Sequence, residues 1–216
     1  MTGRCSSIRR IILAHKGTLR VTPGCLAVLA GACLVTPWEV LAAILIAAAL
    51  HELGHIAALR RFGVAIDGVV FSAWGAQIYA REMRRLSYGQ ELLVTLAGPA
   101  VNLLLSPLTA ALSLRLGWQD GLILAGAHAI LGAFNLLPIL PLDGGQAIYL
   151  AVAWRFGPLW ADAVTAITGL VCALTLLFLS AGLVIRGGGI FFLLASLELL
   201  RGALAQLALA QNAVKV

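Results

Sequence analysis

The sequence contains very little charge. Only 11% of its 216 residues are Asp, Glu, Lys or Arg, whereas 61% are hydrophobic, and the mean hydropathy is +0.99. A soluble domain carries about 25% charged residues, so this composition excludes an ordinary soluble globular protein. Several apolar stretches are also close to the roughly 20 residues that a helix needs to span a bilayer. The composition therefore predicts an integral membrane protein built from one helical bundle.

Cysteine is scarce as well. Cys5, Cys25, Cys33 and Cys172 form no CxxC pair, and three of them lie in apolar stretches. This arrangement disfavours both a disulfide framework and a cysteine zinc site. The formal net charge of +6 comes from short basic clusters between apolar runs, unlike the clustered basic face of a nucleic-acid-binding domain. We therefore expect no nucleic-acid partner.

The hydropathy pattern predicts an all-α polytopic membrane protein with about six transmembrane helices. The expected spans are roughly 21–36, 38–59, 90–115, 120–137, 158–184 and 188–208. The first span follows a basic segment at residues 1–20, so a signal peptide is an alternative interpretation. The turn Thr36-Pro37-Trp38 leads directly into a second span, which favours a retained helix. We expect residues 1–216 to form one membrane domain.

The basic residues are distributed unevenly along the chain. If the N-terminus is cytoplasmic, only Arg115 and Arg186 fall outside, and Arg201 lies within the last span. The cytoplasmic residues would then be Arg4, Arg9, Arg10, Lys16, Arg20, Arg60, Arg61, Arg81, Arg84, Arg85, Arg155 and Lys215. The positive-inside rule therefore predicts that both termini are cytoplasmic. A bias towards Ala, Leu, Gly and Arg suggests a bacterial cytoplasmic membrane.

The segment at residues 62–87 lacks helical periodicity. Three glycines interrupt it, and Val64 and Ile66 alternate with polar or small residues. This pattern predicts strands or a re-entrant β-hairpin-like segment, which membrane depth tolerates only against protein or a wet cavity. A plain cytoplasmic loop is the alternative.

Two histidines and a glutamate interrupt the second span. Residues 45–59 read LIAAALHELGHIAAL and contain His51, Glu52 and His55. Histidines four positions apart lie on one helical face, where they can bind one zinc ion. Glu52 follows the first histidine and can reach a water on the metal as a general base. Because ionisable residues inside a span cost several kcal/mol, this group indicates a functional site.

A catalytic zinc site commonly has three protein ligands, so a carboxylate is expected. The candidates in or beside spans are Glu39, Glu91, Asp120, Asp143, Asp162 and Glu198. Glu39 and Asp120 lie at the membrane face opposite the histidines. Asp143 stands out because Pro138 and Pro141 interrupt the preceding helix, and the two glycines after it permit close backbone approach. A cap on the following helix is the alternative role for Asp143.

Three motifs resemble those of the site-2 protease family (M50) of intramembrane zinc metalloproteases. HELGH at 51–55 matches the HExxH motif, AGPAVN at 97–102 matches an AGPxxN-type segment, and FNLLPILPLDGG at 134–145 matches an NxxPxxPLDGG-type motif. The sequence looks most similar to the compact, sporulation-type branch.

The resemblance implies one Zn²⁺ ion held by His51, His55 and Asp143, with Glu52 as the catalytic base. It also suggests that Asn102 and Asn135 contact the substrate backbone or the oxyanion. The implied reaction is regulated intramembrane proteolysis, in which zinc-activated water hydrolyses peptide bonds within or next to transmembrane segments of membrane-bound substrates.

Larger members of the family carry a PDZ or a CBS domain, and we expect neither in residues 1–216. We therefore expect a regulatory membrane partner in addition to the lipid bilayer and a transmembrane or membrane-associated protein substrate. His128, in the fourth span, receives no role from the resemblance. A divalent-metal transporter and a catalytically silent relative are the alternative functions.

Overall fold

The computed structural model describes residues 18–72, 75–79, 86–187 and 190–214. Within these residues the chain forms three strands and seven helices. They are β1 (Thr18–Val21), α1 (Pro23–Val35), α2 (Trp38–Arg61), β2 (Gly68–Ser72), β3 (Gly75–Tyr79), α3 (Tyr88–Leu116), α4 (Gln119–Asn135), α5 (Asp143–Phe156), α6 (Pro158–Ile185) and α7 (Ile190–Val214). Most of the predicted basic N-terminal segment, and the predicted cytoplasmic residues Arg81, Arg84, Arg85 and Lys215, lie outside the described residues.

Four of the described helices are long and apolar enough to cross a membrane. They are α2, α3, α6 and the part of α7 from Phe192 to Ala210. The apolar helix α1 has 13 residues and α4 has 17, so each rises less than the roughly 30 Å of a hydrocarbon core at 1.5 Å per residue. The predicted count of six spans is therefore not confirmed by helix length.

The chain divides into two compact units, the first ending at Gly132 and the second beginning at Ala133. In the first unit, α2 packs on α3 through small residues. Ala43, Ala47 and Gly54 are buried along one face of α2. A Cβ at Gly54 would lie 2.7 Å from the carbonyl oxygen of Ala97, so only glycine allows the two backbones to approach this closely.

The ends of α3 are determined by local sequence. Ser87 and Gln90 form a capping box, in which the Ser87 hydroxyl accepts from the Gln90 backbone N–H and the Gln90 side chain accepts from the Ser87 backbone N–H. Glu91 lies in the first turn, where a carboxylate suits the helix dipole. The helix ends at Gly117, whose φ of +66° is in the left-handed region.

The strand interpretation of residues 62–87 is confirmed, because β2 and β3 form an antiparallel hairpin. A third strand was not predicted. β1 pairs in parallel with β2, from Thr18 opposite Gly68 to Val21 opposite Phe71, which gives the order β1-β2-β3. Val21 therefore belongs to a strand, not to the first span as the sequence suggested. Its partner lies about 50 residues further along the chain, so local patterning could not indicate the pairing.

The second unit contains the loop after α4 and the helices α5, α6 and α7. Ile139 of this loop is fully buried against Ala173 of α6 and Ala203 of α7. Two side-chain hydrogen bonds link α6 to α7. They join the hydroxyls of Ser180 and Ser196 at 2.9 Å, and the Gln206 amide to the Thr165 hydroxyl at 2.9 Å.

Candidate metal centre

His51 and His55 lie on one face of α2, as their spacing predicts. Their Nε2 atoms are 3.1 Å apart, and the two rings meet edge to face. Two nitrogens that bind one tetrahedral zinc at about 2.0–2.1 Å are separated by roughly 3.3 Å. The imidazole pair is therefore arranged with both Nε2 atoms converging at a spacing suited to a shared ion.

The ring orientation of His55 is fixed by the backbone of α3. Nδ1 of His55 lies 2.8 Å from the carbonyl oxygen of Val94. A carbonyl oxygen only accepts, so Nδ1 must carry the proton and donate it. A neutral His55 then has its lone pair on Nε2, the atom that faces His51. Such a hydrogen bond on the second ring nitrogen is the usual support for a metal-binding histidine.

The second ring nitrogen of His51 is supported by a side chain of α3. Nδ1 of His51 lies 3.3 Å from the amide nitrogen Nδ2 of Asn102, and the amide oxygen Oδ1 of Asn102 lies 3.0 Å from Nδ1 of His128 on α4. Asn102 and His128 are both fully buried. The sequence assigned no role to His128. The one indication of a role was that His128 is a polar residue within an apolar span.

Gly98 of α3 lies directly against the histidine pair. A Cβ at this position would be 2.8 Å from Nε2 of His51 and would collide even more closely with Nε2 of His55. Gly98 belongs to the AGPAVN motif, but the motif alone did not show which atoms the glycine approaches. Its missing side chain leaves the space beside the two nitrogens open.

Asp143 begins α5 directly after the loop predicted from the two prolines. The residue before it, Leu142, is the N-cap, so Asp143 occupies the first turn and not the capping position. A Cβ on Gly144 would collide with the Leu136 backbone, and one on Gly145 would collide with the Ile139 backbone. The two glycines therefore allow the loop to fold tightly against the start of α5, as predicted.

One group of metal-ligating side chains stands out among the residues that the structure describes. It contains the imidazole pair of His51 and His55 on α2, to which the resemblance adds the carboxylate of Asp143. Two imidazoles and one carboxylate are a donor set that zinc commonly uses in catalytic sites. The residues present therefore fit a zinc ion.

The remaining predicted site residues occupy the elements expected for them. Glu52 is half-buried on α2 next to His51, and Asn135 is half-buried at the last residue of α4. Their catalytic and substrate-binding roles, like those of the three ligands and Asn102, stay predictions. Of the alternative carboxylates, Glu39 lies in the first turn of α2, 12 residues before His51.

The fold and the site together define a helical membrane protein with an HExxH metal centre. Comparison with known proteins narrows this class. The family model for peptidase family M50 matches residues 39–123. A zinc metalloprotease of Methanocaldococcus jannaschii is 28% identical over 146 residues, and Rip3 of Mycobacterium tuberculosis is 34% identical over 147 residues. These matches cover 65% and 64% of this chain but only 42% and 37% of those proteins.

Comparison with solved structures also points to the site-2 proteases. A solved structure of the site-2 protease from Methanocaldococcus jannaschii superposes with a TM-score of 0.62 and 26% identity, covering 85% of this chain and 86% of that one. The chain is thus similar in sequence and fold to the site-2 proteases of peptidase family M50, and it is an integral membrane protein. The resemblance carried by the three motifs is confirmed, whereas the sporulation-type branch is not.

Proposed function

We propose that this chain is an intramembrane zinc metalloprotease, which hydrolyses peptide bonds within or next to transmembrane segments of membrane-bound substrates. His51, His55 and Asp143 hold one zinc ion in this proposal. The observation that carries it is the convergence of the two Nε2 atoms, 3.1 Å apart, within an HExxH sequence on an apolar helix. The likeness to a solved site-2 protease supports the same assignment.

The chemistry is divided between the metal and Glu52. Bound zinc supplies Lewis acidity, which polarises a substrate carbonyl and acidifies water. Glu52 accepts the proton of the attacking water and delivers it to the departing amine, as a general base and then a general acid. Asn135 donates its amide N–H to the substrate in this proposal, either to its backbone or to the oxyanion. The resemblance suggests the same role for Asn102, but its hydrogen bonds to His51 and His128 favour a role in supporting the metal centre.

The membrane arrangement follows from the same proposal. The helices α1 and α4 join the four longer helices to give six spans, with both termini cytoplasmic in a bacterial membrane. The whole chain acts as one peptidase domain. Its substrate is a transmembrane or membrane-associated protein, and a membrane partner regulates access to the site.

A transmembrane substrate must first unwind, because a helix engages its carbonyls in internal hydrogen bonds. We propose that β3, which is last in the strand order, binds the unwound segment as an added strand. Gln77→Pro and Ile78→Pro test this, since neighbouring N–H groups of a strand point in opposite directions. One variant should disturb the pairing with β2, and the other should lose cleavage but keep zinc. If both variants cleave normally, strand addition is wrong.

Glu52→Gln tests the protease proposal directly. The variant should lose about 10²–10⁴-fold in cleavage while retaining one zinc per chain, because it removes the base but no ligand. The measurement compares uncut membrane-protein fragments by quantitative proteomics, and metal content in the purified protein. Glu39→Gln, in the first turn of the same helix, is the matched control and should leave both unchanged.

The outcomes separate the alternative functions. A metal transporter would lose zinc flux in the Glu52→Gln variant and show no accumulating fragments. In a catalytically silent scaffold, the Glu52→Gln substitution would change neither zinc flux nor the amount of uncut fragments. Unchanged cleavage in the Glu52→Gln variant would contradict the proposed function.

A further inference from the structure

We propose that His128 is a positioning residue for the metal centre. When zinc is bound, Nδ1 of His128 accepts a hydrogen bond from the side-chain N–H of Asn102 and thereby holds the amide oxygen of Asn102 towards Nδ1 of His51. This is the reverse of the amide orientation in this structure. The inference rests on the proposed function, because it takes His51 to be a zinc ligand.

The observation is a buried chain of three side chains from three helices. His51 of α2, Asn102 of α3 and His128 of α4 are 5%, 0% and 0% exposed. Asn102 bridges the two histidines, with Nδ2 at 3.3 Å from Nδ1 of His51 and Oδ1 at 3.0 Å from Nδ1 of His128. Nε2 of His128 has no hydrogen-bond partner among the described residues. Asn102 is therefore the contact through which His128 can influence the metal centre.

The proton on His51 determines which way the amide of Asn102 must face. Nε2 of His51 converges with Nε2 of His55 and is therefore the ligand atom. A neutral imidazole that binds metal through Nε2 carries its proton on Nδ1, and this N–H needs an acceptor. Of the two amide atoms of Asn102, only the oxygen can accept. The opposite orientation, with the amide nitrogen towards His51 as in this structure, places the proton on Nε2 and removes the lone pair that the metal needs. Zinc binding therefore requires the amide of Asn102 to turn over.

The orientation of Asn102 in turn determines the proton position on His128. The nitrogen and oxygen of an amide have nearly the same shape, so their order is decided by hydrogen bonding and not by packing. With the oxygen towards His51, the amide nitrogen faces Nδ1 of His128, which must accept. His128 then carries its proton on Nε2. A side chain that cannot accept at this position would leave the amide free to turn, and His51 would lose its fixed proton.

The first test uses substitutions and zinc affinity, measured by chelator competition in detergent. His128→Leu removes the acceptor and should weaken zinc binding about 10–100-fold, the usual effect of losing support behind a metal ligand. His128→Asn places an oxygen near the former Nδ1 and should restore affinity to within about threefold. Ser106→Ala is the matched control, because it breaks another α3–α4 hydrogen bond, from the Ser106 hydroxyl to the Ala125 carbonyl at 3.0 Å, without touching Asn102.

A purely structural role for His128 predicts a different order. Apolar Leu would then be tolerated at least as well as Asn, and zinc affinity in the two variants would follow their stability. Equal zinc affinity in wild type and His128→Leu would overturn the inference while leaving the proposed function intact. Failure of the wild type to bind one zinc would instead contradict the proposed function.

The second test uses the wild-type protein, so it does not depend on a variant that folds. Long-range ¹⁵N–¹H spectra of ¹⁵N-histidine-labelled, zinc-loaded protein distinguish the two imidazole tautomers, and the chain has only four histidines to assign. We expect His128 to be protonated on Nε2. Removing zinc with a chelator should return its proton to Nδ1, because Nε2 of His51 then needs a proton of its own. A zinc-loaded His128 protonated on Nδ1, or a tautomer that does not respond to zinc, would refute the positioning role.

Discussion

Substitution of Gly98 by alanine tests the geometry of the metal centre most directly. The added methyl carbon would lie 2.8 Å from Nε2 of His51 and even closer to Nε2 of His55. Because a normal carbon–nitrogen contact is about 3.4–3.5 Å, the His51 ring would have to retreat by roughly 0.6 Å or more. Metal–ligand distances tolerate only about 0.2 Å. A single methyl group should therefore disturb both imidazole ligands together.

We expect this substitution to reduce zinc affinity more than the loss of a supporting residue farther from the metal would. We expect Gly98→Ala to weaken zinc binding more than about 100-fold, beyond the range for loss of a supporting hydrogen bond. Overpacking should also reduce stability by about 1–3 kcal/mol. Gly126→Ala is the matched control, since a Cβ at Gly126 of α4 meets no atom within 4 Å. Alanine favours the helix there, so the control should keep full zinc affinity.

The assay is zinc content and affinity of both variants, purified in detergent and titrated against a chelator, with thermal unfolding measured in parallel. The unfolding measurement separates loss of zinc binding from loss of stability, because a variant that is folded but lacks zinc has lost the site and not the fold. If the Gly98→Ala protein binds one zinc with an affinity within about threefold of wild type, the close approach of Gly98 to the two imidazoles does not control zinc binding, and the reasoning is refuted.

Three further outcomes follow from the structure. Gly145→Ala should push the loop away from the start of α5 and weaken zinc binding at least about 10-fold. Gly182→Ala is the control, because a Cβ there meets no atom within 4 Å, and it should leave zinc affinity unchanged. Equal zinc affinities of the two variants, measured by chelator competition, would contradict this prediction. Zinc removal from the wild type should abolish cleavage in a membrane assay, and added zinc should restore it; cleavage that survives the chelator would argue against a metalloprotease. Glu198→Gln should change the free energy of unfolding by less than about 1 kcal/mol, because its 3.7 Å ion pair with Arg201 is exposed, and a larger change would show a buried role.

The sequence predicted the elements of the site better than their surroundings. The spacing of His51 and His55 is a property of one helix, so their shared face could be predicted without a fold. The prolines before Asp143 similarly indicated the end of one helix and the start of another. Both are local features, and local features are what residue patterns encode.

The features that the sequence did not predict all depend on contacts between distant segments. The approach of Gly98 to the two imidazoles requires the packing of α3 on α2, and the bridge from Asn102 to His128 requires α4 as well. The pairing of β1 with β2 joins residues about 50 positions apart. Sequence periodicity shows which face of an element is apolar, but it does not show which side chain of another element meets that face.

The parallel pairing of β1 with β2 also has a consequence for the proposed six-span arrangement. The N–H of Thr22, just before α1, donates to the carbonyl of Phe71 at 2.9 Å, so the start of α1 and the strand that follows α2 lie side by side. If α2 crosses the bilayer alone, these two atoms would be on opposite sides. In the proposed six-span arrangement the 13-residue α1 provides the return crossing, although it rises only about 20 Å. Such a hydrophobic mismatch is relieved when the surrounding lipid becomes thinner, so we expect a local depression of the bilayer beside α1.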